Sequence, residues 1–309
     1  MSTAKRHHYV PRFLLRQWAR RDIHGQMKIL AHYWDDRRDQ MRIFPGGENQ
    51  FCYRDDLFTL NGNALGVDAL ERIFFKSIDD LGAAAHRKLV QSGVGHLTND
   101  ERSDFIRLIL SMDARRPITV DRLVSEGTKH FRNGLDQDPT ILAEFERLGL
   151  GVKPSEYWEL VQGQSLADQS KLLLQSLTNN PTAGDKLAKF NWLIRELEAG
   201  EGTFVLSDRP LVRLHGIDHP DTLWMMPLTP SAVLFISPRR DTLAAIVRKS
   251  SKSVRNFTNS DSAIQADRYV FSVKPEGSWL ARRLAHRAAH PASAELLDTY
   301  RSRYEDPLT

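Results

Sequence analysis

Cysteine occurs once in the 309 residues, at Cys52. One thiol excludes an intramolecular disulfide framework and any zinc site built from several cysteines, and it suits a reducing, cytoplasmic setting. Long apolar runs are missing too. No stretch reaches the roughly eighteen residues that span a bilayer, so the chain reads as soluble, with no membrane partner. The basic start is not a secretory signal, because "YVPRFLLRQW" is broken by Pro11, Arg12 and Arg16 where an apolar stretch has to be continuous. There is no Walker loop, no GxGxxG, no HExxH, no GxSxG and no spaced Cys/His set. P-loop hydrolysis, a Rossmann cofactor and a lipase-type triad are therefore disfavoured, and no nucleotide or organic cofactor is expected.

What is present is ordinary globular material, 41% hydrophobic and 27% charged. The length suits a single large domain over residues 1–309, with an N-terminal segment and hairpin in 1–62, a helical region in 63–200 and a sheet with helices in 201–309. Net charge is only +4, but its distribution is uneven. Between Lys5 and Arg42 ten bases face four acids, and between Arg239 and Arg287 eleven face four. If the two ends meet, they make a positive face able to hold a phosphate backbone; the alternative is two solvated charged surfaces.

The pattern along the chain predicts an α+β fold: an N-terminal β element, a helical middle, and a mostly antiparallel C-terminal sheet with flanking helices. "MKILAHYW" and "QMRIFPG" flank the charged "DDRRD" and read as a hairpin. In "VDALERIFFKSIDDLGAAAHRKLV", Leu70, Phe74, Ile78, Leu81 and Leu89 recur at helical spacing. Thr98 followed by Glu101 is a capping box for the next helix, whose stripe is Phe105, Leu108, Ile109 and Met112, and which Pro117 bends or breaks. Weaker helical patterns lie between residues 140 and 180. "DKLAKFNWLIRELEAGEG" reads as an amphipathic helix stopped by Gly200 and Gly202. After Gly202 the period falls to about two, giving strands at "TFVLS", "LVRLHG", "TLWMMPL", "AVLFISP" and "RYVFSV". A helix with a break around Asn256 to Asn259 precedes the last of these, and "SWLARRLAHRAAHPASAELLDTYRSRY" closes the chain as helix interrupted by Pro291.

Two short stretches concentrate reactive residue types. In "KRHHYVPRFLLRQW", His7 and His8 are adjacent and point different ways in extended chain, so they do not chelate alone. Pro11 stiffens the lead into a short helix with Phe13, Leu14 and Trp18 inward. Each histidine is either a satisfied core residue or one entering a site. In "TFVLSDRPLV", a buried strand releases Asp208 before Pro210, where it is either a base or cation ligand, or the cap of a turn. Glu71 and Asp79 nearly share a helix face. Asn256 and Asn259, three apart, lie together on a helix as amide donors or acceptors, and Arg268 precedes the last strand.

Laid out in this order, the motifs resemble an uncharacterised bacterial family, domain of unknown function 4238, marked by an HHYVP-x-F-L signature. The likeness rests on His7 to Leu14, the helix holding Glu71, "FVLSDRP" at Phe204 to Pro210, "MPLTP" at Met226 to Pro230, and "RNFTN" ahead of "ADRYVFS". In the family pattern the position of Arg209 often holds Asn and that of Asp79 often Glu. The resemblance supplies no activity, but it implies that the first and second signatures pack together, bringing His8 to Asp208.

These residues support two functional expectations. One is a metal-dependent nuclease or other phosphodiester-directed hydrolase. His8, Asp208 and Glu71 would be catalytic, with His8 titrating near neutral pH as general acid or base. Asp208 and Glu71 would hold a divalent cation, Mg²⁺ or Mn²⁺. His7, Arg12, Arg16, Asn256, Asn259 and Arg268 would bind substrate. The other is a non-catalytic protein that grips nucleic acid or an acidic partner with its basic face. A third reading is that the N-terminal stretch is only a latch closing the fold.

Overall fold

The computed structural model of the chain describes residues 6–62 and 65–289. It is an α+β protein built around two antiparallel sheets. The smaller N-terminal piece pairs β1 (Arg6–His8) with β5 (Tyr53–Asp55). β2 (Arg20–Arg21), β3 (Met27–Asp35) and β4 (Gln40–Gly46) follow the short helix α1 (Arg12–Leu15). The expected hairpin is β3–β4, and Pro45 is tolerated in β4 because that strand pairs on one side only.

The helical middle holds α2 (Lys76–Ser92), α3 (Asn99–Ala114), α4 (Pro117–Gln137), α5 (Pro139–Arg147), α6 (Pro154–Gln162), α7 (Leu166–Thr178) and α8 (Pro181–Lys189). Thr98 caps α3 as its spacing predicts, accepting from the Glu101 N–H while the Glu101 carboxylate accepts from the Thr98 N–H. Pro117 does not merely break a helix; it starts α4 at the position where a missing N–H costs nothing. α4 escapes an apolar-pattern search because it buries only Val120 and Gly127. Gly127 is there for closeness, since a Cβ would stand 2.7 Å from the Ser170 hydroxyl on α7.

Ahead of α2 the chain makes one wide, π-helical turn over Leu70–Phe75. The extra residue shifts the buried stripe, so Phe75 is inward in place of Phe74, and Leu81 is exposed.

The larger correction falls on the helix expected across residues 185–202. It ends at Lys189, and Asn191–Glu196 is β6, pairing along its length with β10 (Ala232–Ser237). A short apolar run satisfies both periods, and here the sheet wins because both its faces are covered. β9 (Leu223–Thr229) and β8 (Val212–Leu214) complete the order β6-β10-β9-β8. Trp224, Met226, Leu234 and Ile236 face the main core under the helices. Leu223, Met225, Val233 and Phe235 face a second core with Leu243, Ile246 and Val254 from α9 (Arg240–Arg248) and α10 (Ser251–Gln265). The break in that helical stretch lies at Lys249–Ser250, where Ser250 caps α10, and not at Asn256–Asn259.

The second sheet joins the two ends of the chain. β11 (Val270–Ser272) lies between β3 and β7 (Leu206–Ser207), so the N-terminal hairpin and the C-terminal region share one hydrogen-bonded layer. α11 (Ser278–Ala289) packs on β3, β4 and α10, with Leu280 and Leu284 buried beside Val205, Ala263 and Val270. The helix expected beyond Pro291 lies outside the described residues. Among those described, no helix is long and apolar enough to cross a membrane.

Candidate functional site

The segment Thr203–Asp208 is a junction. The Phe204 carbonyl accepts the Trp18 indole N–H at 2.9 Å, and its N–H donates to the Pro230 carbonyl. Asn259 clasps the same segment from α10, accepting the Val205 N–H and donating to the Thr203 carbonyl, both at 3.0 Å. Asn259 thus copies a strand's pairing with its amide rather than presenting it to a ligand. The Asp208 side chain, 0% exposed, ends the segment. Its carboxylate accepts three backbone N–H groups, from Asp267 at 2.8 Å, Arg268 at 2.7 Å and Tyr269 at 3.0 Å. Its own N–H donates to the Tyr269 carbonyl. Burial and the neighbouring Asp267 push the Asp208 carboxyl up to about 6, against the pull of the three amides. Asp208 caps a turn, though the turn is 267–269 and not the bend before Pro210.

Asp267 is held in a two-bond fork by Arg116 at 2.6 and 2.9 Å. Arg209 is buried beside Arg116, Asp267 and Asp208, and burial lowers its guanidinium to about 10. The Arg268 guanidinium lies over the Tyr269 ring, 4.9 Å from its centre. From the N-terminal stretch it is Tyr9, not His8, that comes within electrostatic range of Asp208. Burial pushes its phenol well up, with Cys52 and Asp208 adding to the rise.

His7 and His8 divide as a strand requires. His7 is buried, stacked on Phe58 with ring centres 5.4 Å apart, and its Nδ1 accepts the Phe58 N–H at 2.8 Å. His8 is half-buried against Tyr53, and among the described residues its solvent-sealed Nε2 has no hydrogen-bond partner. Burial, reinforced by Arg12 and Arg6, lowers it to about 4, so it is neutral at pH 7 and does not titrate there as the sequence suggests. Arg12 and Arg16 both close on Glu48, at 3.0 and 2.6 Å, which leaves them only partly available to a substrate.

Glu71 stands in the π-helical turn. Its Oε2 is buried with no hydrogen-bond partner among the described residues, and burial raises the carboxyl to about 7, with Arg115 opposing and Asp79 adding to the rise. Arg115, 1% exposed, forks onto Asp79 at 2.8 and 3.1 Å and lies over the Phe75 ring. Glu71 and Asp79 do share a side of the helix, as their spacing implies, with Arg115 acting on both. His8, Asp208 and Glu71 therefore stand in separate surroundings. Among the described residues no three His, Cys, Asp or Glu side chains gather as a metal-holding group.

The surface concavity that collects charge lies elsewhere. A cleft of about 690 Å³ opens between α10 and α11, over Gly202 and Thr203. Arg255, Lys274, Arg282 and Arg283 line it with the Trp279 indole, Asn256 at its wall and Glu276 as the one acid among the described residues. Among the described residues none of those four cations forms an ion pair. Arg255 donates to the Glu201 carbonyl and to the Asn256 amide oxygen; both predicted asparagines line the cleft, and Asn259 also ties Thr203 and Val205 to α10. Sequence reasoning counted these bases without placing them. The signal was available: Trp279, Arg282, Arg283 and His286 recur at three- and four-residue spacing, which puts them on one helix face.

Residues 6–276 match the family model described as "Protein of unknown function (DUF4238)", and the chain belongs to that family. No curated protein and no solved structure matches it.

Proposed function

We propose that this member of the family binds nucleic acid, as a non-catalytic partner, through the basic cleft between α10 and α11. The observation that carries the reading is the set of four cations, Arg255, Lys274, Arg282 and Arg283, gathered around Trp279 with no carboxylate paired to any of them among the described residues. Elsewhere the arginines that face carboxylates close on them: Arg12 and Arg16 on Glu48, Arg54 on Asp121, Arg115 on Asp79, Arg116 on Asp267. A cluster left open in a concave surface focuses positive potential and suits phosphate oxygens.

The test is fluorescence anisotropy with labelled RNA and DNA over a salt series, using wild type and Arg282→Ala/Arg283→Ala. Wild type binds at low salt, and affinity falls steeply as salt rises. Each arginine removed lowers the slope of log K against log salt by about 1. No binding at low salt, or a double variant that binds like wild type, sinks the reading. The same lanes carry Mg²⁺, Mn²⁺ or EDTA. Metal-dependent cleavage would move the assignment to the phosphodiester hydrolase reading, with Glu71, His8 and Asp208 as the residues to substitute.

A further inference from the structure

Resting on that reading, we infer that the cleft takes single-stranded nucleic acid, with a base seated on Trp279 rather than only phosphates lying across the surface. Three features separate a base-reading cleft from a plain phosphate clamp. First, the indole is fixed. Trp279 Nε1–H donates to the Glu276 carboxylate at 2.9 Å, and the residue packs partly against the core of Val205, Leu280 and Leu284. Glu276 is itself fixed, since its N–H donates to Nε2 of the fully buried His32 at 3.1 Å. An aromatic ring held this way is a stacking platform that has little conformational freedom left to lose.

Second, the cleft contains an acid. Glu276 among four cations weakens attraction for phosphate, so in a clamp for polyanions it has no use. Beside a stacked base it supplies an acceptor for an exocyclic amino group or a ring N–H, which phosphates lack.

Third, the dimensions fit a nucleotide rather than a helix. The volume, about 690 Å³, falls within the roughly 300–1,000 Å³ of small-molecule pockets. A duplex keeps its base faces stacked inside and offers such a pocket only backbone, whereas a single strand can turn a base outward onto the ring. Arg282 and Arg283, one turn along α11 from Trp279, then stand where the flanking phosphates run.

The experiment compares four labelled ligands at one salt concentration: a mixed-sequence single strand as RNA, the same as DNA, the blunt duplex of that sequence, and an abasic single strand of equal length. The expected order places both base-bearing single strands at least about tenfold tighter than the duplex and the abasic strand. Trp279→Ala removes that advantage with the salt slope unchanged, and Trp279→Phe restores part of it. Should Trp279→Ala not fold, the wild-type comparison of abasic with base-bearing strand decides alone. Equal affinity for the abasic strand, or for the duplex, overturns the single-strand inference. Loss on Arg282→Ala/Arg283→Ala in that same case leaves the phosphate-binding reading standing. No binding of any of the four ends both.

Discussion

Two buried carboxyl groups, Asp208 and Glu71, are both raised above the ordinary carboxylate range, and their surroundings could hardly differ more. Asp208 is met by three backbone amides of one turn and anchors the meeting of β7 and β11. Glu71 leaves one oxygen sealed and unbonded in a π-helical turn, facing Arg115 that is already committed to Asp79. A raised pKa alone therefore says little about role. What separates a structural acid from a reactive one is whether the carboxylate's hydrogen-bond capacity is already filled by the fold.

The sharpest way to break this comparison is to turn each acid into its amide. Asp208→Asn places an NH₂ group where one carboxylate oxygen accepts from amides, leaving one or two buried N–H donors unmet. The expected loss is about 4 kcal/mol in urea unfolding, the sum of weakened charge-assisted bonds and stranded donors. A loss below about 1 kcal/mol would mean that the turn does not depend on Asp208 and would return the residue to the list of functional candidates.

Glu71→Gln should do the opposite, and only in one pH range. In the folded chain Glu71 holds its proton up to about 7, against the ordinary 4.5. Below 4.5 both states are protonated and the group is neutral to stability. Between 4.5 and 7 the unfolded chain ionises while the folded one does not, so stability falls as pH rises. Glutamine cannot ionise, so the variant matches wild type near pH 4 and exceeds it at pH 8 by up to about 3 kcal/mol. Melting curves at the two pH values check this, and a variant destabilised at both would show that Glu71 is bonded after all.

The fold was legible where one period dominated and where turn chemistry was local. The capping box at Thr98, the hairpin about "DDRRD" and the apolar strands β9 and β10 all follow from neighbours in sequence. β6 was not legible, because Leu187, Phe190, Ile194 and Leu197 satisfy a helical period while the unbroken apolar run Trp192, Leu193 and Ile194 suits a strand covered on both faces, and only the partner β10 decides. The π-helical turn was invisible for a related reason: an inserted residue moves the stripe from Phe74 to Phe75 without a change in composition. For the site, the sequence marks Asp208 and Asn259 as candidates but does not show that both bond backbone groups some 50 to 60 residues away. The cleft was missed because arginines were totalled by region, whereas their use depends on which of them a carboxylate has already taken.

The adjacent histidines repeat the comparison within one dipeptide, at smaller energies. His7→Phe keeps the stack on Phe58 but strands the Phe58 N–H, and should cost about 2 kcal/mol in urea unfolding. His8→Phe removes an Nε2 that has no hydrogen-bond partner among the described residues, and its effect should depend on pH in the sense opposite to Glu71. The folded value for His8 is about 4, so between 4 and 6.5 the unfolded chain takes up a proton that the folded chain refuses, and stability rises with pH. At pH 5 the phenylalanine variant should melt above wild type, and at pH 8 close to it. The His8 rise and the Glu71 fall overlap between about 4.5 and 6.5, so wild type shows a flatter profile than either variant. Removing His8 exposes the falling limb, to which the raised Asp208 also contributes, and removing Glu71 exposes the rising one. If His8→Phe shifts the melting temperature equally at pH 5 and pH 8, His8 is not held neutral by burial, and its contrast with His7, whose Nδ1 accepts the Phe58 N–H, does not hold.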